Sequence, residues 1–81
     1  MKNYIDYFTE EGIKQYLSEH LDVKVLYINF NCFDPNEICI TLQDNRGVYG
    51  YIKKYDNIST LTLEQLTKDI IEYNKKEGYG L

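Results

Sequence analysis

Leu26-Tyr27-Ile28-Asn29-Phe30-Asn31-Cys32 and, a few residues later, Ile38-Cys39-Ile40-Thr41-Leu42-Gln43 decide the fold. In both stretches apolar and polar residues alternate with a period of two, the pattern of a strand with one buried and one open face. Asp34-Pro35-Asn36-Glu37 between them reads as a turn, with Pro35 pre-setting the backbone. Asp44-Asn45-Arg46-Gly47 turns the chain again. A type I turn with a left-handed Gly47 and a bulge leads into a third strand over Val48–Tyr55, with Val48, Gly50 and Ile52 on one face.

Helices flank this meander. Thr9 is the N-cap of the first, with Glu10 and Glu11 in the opening turn, where carboxylates meet the positive end of the dipole. Ile13, Leu17 and Leu21, with Tyr16 beside them, form one stripe, so a helix is expected over 9–21. Thr62 with Gln65 three residues on is a capping box, and Leu61 with Leu66 a hydrophobic staple. Leu63, Leu66, Ile70 and Tyr73 then face the core, Lys75 and Lys76 fit the last turn, and Gly78 fits the C′ position. The expected fold is α+β: a single domain over 1–81, a two-layer sandwich in the order helix, three-stranded antiparallel meander, helix.

Parity converts the strand pattern into a surface. Leu26, Ile28, Phe30, Ile38, Ile40 and Leu42 share a face only if the first hairpin loop has an odd number of residues, such as 33–37. The opposite face is then expected to carry the rows Tyr27–Gln43–Tyr49, Asn29–Thr41–Tyr51 and Asn31–Cys39–Lys53, with Tyr55 at the end. Tyrosine offers large contact area and a polar tip, so this face is the expected protein-binding surface. The first hairpin and the exit from the third strand lie at one sheet end, where Asp34, Glu37 and Asp56 are expected to rim it. Other acids, such as Glu64 and Glu72, alternate with Lys68 and Lys76 at helical spacing and neutralise themselves.

The remaining chemistry is sparse. Thirteen acids against nine bases give a net charge of −4, with one Arg and scattered lysines. That composition disfavours direct nucleic-acid binding, which needs clustered cations, and favours a protein partner with a basic surface. Cys32 and Cys39 are too far apart for a Cys-x-x-Cys metal site and are expected on opposite faces, unbridged. His20 near a helix C-terminus has no partners at nucleophile or metal spacing. No phosphate loop, carboxylate pair or serine elbow is present. The expectation is a non-enzyme without cofactor or metal. No apolar run is long enough for a membrane span and none opens the chain as a signal peptide, so a cytoplasmic location is expected. Ile, Tyr, Lys and Asn fill 33 of the 81 positions, which points to an A/T-rich gene.

The element order resembles the double-stranded-RNA-binding domain over nearly the whole chain. That family carries a basic cluster where this chain has Thr62-Leu63-Glu64-Gln65-Leu66, and minor-groove contacts where it has Phe33-Asp34-Pro35-Asn36-Glu37, so RNA binding is not implied. In size, acidity and build the chain is similar to small phage-encoded inhibitors of the anti-CRISPR type. That resemblance implies blockade of a host nucleic-acid-processing or defence protein. The alternative expectation is a homodimer or adaptor that buries the tyrosine face against its own copy.

Overall fold

Thr9 accepts a hydrogen bond from the Gly12 N–H at 3.1 Å and starts helix α1, Glu10–His20. The structure, a computed structural model, describes residues 2–30 and 33–80. Strands β1 (Lys24–Phe30), β2 (Glu37–Asp44) and β3 (Gly47–Lys54) follow as an antiparallel sheet in the order β1-β2-β3, and helix α2 spans Leu63–Glu77. The α+β order expected from the alternating pattern is therefore the observed one.

Helix α2 starts as its sequence predicts. Thr62 accepts from the Gln65 N–H at 3.1 Å, Leu61 and Leu66 are both buried, and Gly78 ends the helix with φ +78°. The capping box is half made, because the Gln65 side chain donates to Asp69 instead of returning to Thr62. The segment before α1 adds a tie the sequence does not advertise. Tyr4 bridges Thr62, the Ile5 N–H donates to the Leu61 carbonyl, and the Leu63 N–H donates to the Asn3 carbonyl.

One core joins the two layers. Ile13 and Leu17 of α1, Leu63, Leu66 and Ile70 of α2, and Ile28, Ile38, Ile40 and Leu42 of the sheet are buried together. Burying one such aliphatic side chain contributes about 1.5–3 kcal/mol, so this cluster holds the helices over one sheet face.

The strand register departs from expectation at two points. In β1 a bulge between Val25 and Tyr27 sets Val25 and Leu26 against Leu42. Val25 is therefore buried, although simple alternation puts it outside. Beyond the bulge the parity is as expected: Ile28 pairs with Ile40 and Phe30 with Ile38, but Tyr27 lies opposite Thr41 instead of Gln43.

The second departure reverses β3. Asp44 pairs with Gly47, so only Asn45 and Arg46 make the turn. Asp44 Oδ1 closes it by accepting from the N–H groups of Arg46 (2.9 Å) and Gly47 (3.2 Å), and Gly47 adopts φ +143°. A link shorter by one residue moves every β3 side chain to the other face. Tyr49 and Tyr51 consequently point into the core and Val48, Gly50 and Ile52 point out. The expected rows Tyr27–Gln43–Tyr49 and Asn29–Thr41–Tyr51 do not exist. The observed rows are Lys24–Gln43–Val48, Tyr27–Thr41–Gly50 and Asn29–Cys39–Ile52. Cys32 and Asn31, and with them the expected separation of the two thiols, lie outside the described residues.

Candidate functional site: the open face of the sheet

Three of the four tyrosines expected on the open face, Tyr49, Tyr51 and Tyr55, form the seam between β3 and α2. Tyr51 is 3% exposed, and Tyr49 and Tyr55 are half-buried against the core. Each phenol needs a partner once it leaves water. Tyr49 Oη donates to Asn74 Oδ1 at 2.9 Å, and Tyr55 Oη donates to Asp69 Oδ2 at 2.8 Å. That uses the only proton of Tyr55, so in the 2.9 Å contact between Tyr51 and Tyr55 hydroxyls Tyr51 is the donor. Tyr73 of α2 packs edge-on against Tyr51 and donates to the Gly50 carbonyl at 2.9 Å. Tyr79 stacks on Tyr49 with ring centroids 3.8 Å apart.

This environment favours the neutral phenols. Burial, then the nearby Asp44 carboxylate, pushes Tyr49 up to about 12. Burial also raises Tyr51 to about 12, and raises Tyr55 well above the ordinary range, with the Tyr51 hydroxyl and Asp69 adding to it. Asp69 accepts from Gln65 at 2.7 Å and pairs with Lys53 at 3.7 Å, which fixes its carboxylate under the seam.

The acidic rim is also rearranged. Asp34 and Glu37 do lie at the sheet end where β3 exits, since the Tyr55 N–H donates to the Asn36 carbonyl. Asp34, however, binds the Lys54 ammonium at 3.0 Å and the Asn36 N–H at 2.9 Å. Those contacts, the Asn36 N–H first, hold its carboxyl below the usual carboxylate range. Glu37 is half-buried beside β3's Lys54, with Oε1 out of water and without a hydrogen bond. Of the three, Asp56 alone is exposed. The three do not make a uniformly negative border, because a lysine is woven into it.

What the open face presents is a different set of residues. Of the expected ones, Tyr27, Asn29, Thr41 and Gln43 are there; Tyr49, Tyr51 and Tyr55 are not. In place of the latter stand Val48 and Ile52, 60% and 62% exposed, with Tyr27 at 67%. Gly50 lies between Val48 and Ile52, and a Cβ added to it would meet nothing within 4 Å. Cys39 carries a half-buried thiol in the central strand. Tyr27 on one edge strand and Val48 and Ile52 on the other share this face, with Gln43, Thr41 and Gly50 between them.

Charge is divided between the layers. Residues 24–54 carry four Lys or Arg and three Asp or Glu, while the rest of the chain carries five Lys and ten Asp or Glu. The sheet is thus close to neutral, and most of the acid excess lies on the two helices, which carry seven Asp or Glu and four Lys. Among the described residues no cluster of three or more His, Cys, Asp and Glu is arranged to hold a metal, and no helix is long and apolar enough to cross a membrane. His20 stacks on Tyr16 and its Nδ1 lies 2.8 Å from the Tyr16 carbonyl, a local helix-end contact. No protein-family model matches the chain, and the comparisons with curated proteins and with solved structures returned no match.

Proposed function

We propose that the chain is a protein-binding module whose contact surface is the open sheet face centred on Tyr27, Val48 and Ile52. The observation that supports this reading is the exposure of those three side chains on one face of a sheet whose other face already holds the core. Val48 and Ile52 gain little from folding while they stay in water, and docking would bury them. A photoreactive benzophenone side chain at position 52, illuminated in cells that express the chain, tests it. A covalent protein adduct at 52 that is absent when the same group replaces exposed Glu72 is expected. No adduct at 52 contradicts the reading.

The division of charge favours a second reading. In it the acidic helical layer meets a basic surface and blocks a nucleic-acid-processing protein, in the manner of a mobile-element inhibitor; opposite charge would steer the encounter. Its mark is salt-sensitive capture of a basic partner that is lost in Glu10→Lys/Glu11→Lys. Capture insensitive to salt and to those changes excludes it.

A further inference from the structure

We propose that the open sheet face docks a second copy of this chain, face to face about a two-fold axis that runs along β2. The inference rests on the reading of that face as the contact surface and names its occupant. Two features of the face point to a copy of itself, and a third sets how tightly it would hold.

The first is relief. Tyr27, Thr41 and Gly50 form one row across the sheet, with the bulkiest side chain of the face on β1 and none at all on β3. A two-fold axis along the central strand places each copy's β1 over the other's β3. Tyr27 of each copy then lies over the dip at Gly50 of the other, so one ridge-and-dip match occurs twice, as an isologous contact requires. Glycine inside a strand weakens it and marks a place where another surface comes close. Among the described residues, no atom outside the adjoining chain lies within 4 Å of the place a Gly50 Cβ would take.

The second is charge. The acid excess lies outside residues 24–54, most of it on the two helices, and the sheet residues are nearly balanced. Face-to-face association therefore keeps the acidic layers on the outside, at opposite ends of the pair, where solvent screens their repulsion. A basic partner would find little to attract it on this face.

The third is area. Strand spacing of about 4.8 Å and a rise of about 3.4 Å per residue give three strands of seven residues a footprint of roughly 350 Å² per copy. The pair then buries on the order of 700 Å², below the roughly 1,200–2,000 Å² of stable specific interfaces, so the association is a weak one. Packed sheets stand about 10 Å apart with strands within about 30° of parallel. Cys39, in the central strand, faces its counterpart across the axis.

Sedimentation equilibrium on the full chain, from about 10 µM to about 1 mM so as to reach weak association, tests the proposal. The expected mass rises from 9.6 kDa toward twice that value. Gly50→Val, whose Cβ meets nothing within 4 Å among the described residues, and Ile52→Asp should stay monomeric throughout with unchanged circular dichroism. A wild type that stays monomeric across the range, or a dimer that both variants leave intact, overturns the proposal. The benzophenone adduct at position 52 separates this failure from that of the wider reading. A monomeric wild type with an adduct to another protein removes only the second copy; a monomeric wild type with no adduct removes the contact surface as well.

Discussion

Tyr55 donates its phenolic proton to Oδ2 of Asp69 across 2.8 Å, and this bond ties the end of the sheet to the middle of α2. Asp69 in turn is held by Gln65 and Lys53, so a chain of polar contacts runs from Tyr51 through Tyr55 into the helix. The seam closes α2 over β3 and thereby leaves the other sheet face bare.

Cutting this bond separates structure from binding. Tyr55→Phe should destabilise the fold by about 1–2 kcal/mol, and Asp69→Ala by about 1–3 kcal/mol because it strands two donors. Urea denaturation reads both, and dimer mass at matched folded fractions should not change. A stability loss below the precision of the denaturation curve in both variants would remove the seam from the account.

Alkali should unfold the protein through its tyrosines. Tyr49 and Tyr51 titrate near 12 when folded, against an ordinary value of 10.0, so the folded state holds protons that the unfolded state has released. Stability is therefore complete below pH 10 and is lost as pH rises from about 10 through about 12. Phenolate absorbance followed beside circular dichroism should show a late group of tyrosines ionising together with unfolding. Ionisation of every tyrosine near 10 with the fold intact would contradict the burial of the seam.

Asp44 should matter more than an exposed turn residue ordinarily does. It accepts from the N–H groups of Arg46 and Gly47 in the turn and from the Gly80 N–H in the C-terminal segment, and pairs with Arg46, whose guanidinium also reaches the Gly78 carbonyl. The N–H bonds of Arg46 and Gly80 hold its carboxyl below the usual range. Its contribution is present above about pH 4, near the ordinary carboxylate value, and falls away as acid protonates it. Asp44→Ala should lower the urea midpoint and flatten the acid limb of the stability curve. Gly47→Ala, at φ +143°, should cost about 1 kcal/mol or more for backbone reasons alone.

Those residues also explain what could and could not be read in the sequence. Thr62, Gln65 and Gly78 define α2 because caps act locally, and the alternation in β2 is legible because every second side chain is apolar. The orientation of β3 depends on whether two or three residues make the Asp44–Gly47 turn, and on what waits opposite. Val48 and Ile52 look like core and Tyr49 and Tyr51 like surface until Asp69, Tyr73 and Asn74 are set beneath them. Those acceptors and rings sit on the inner side of α2, and their spacing was the available signal. Tyr27, Asn29, Thr41 and Gln43 were legible as open-face residues because parity in β1 and β2 survives the bulge.

The orientation of β3 is open to direct measurement by single thiols at adjacent positions. In a Cys32→Ser/Cys39→Ser background, Ile52→Cys and Tyr51→Cys are reacted with a small maleimide at concentrations that keep the chain monomeric. Position 52 should react at nearly the rate of an unfolded peptide, and position 51 only as fast as the protein opens. The reverse order, with 51 fast and 52 protected, would put the tyrosines outside and contradict the account.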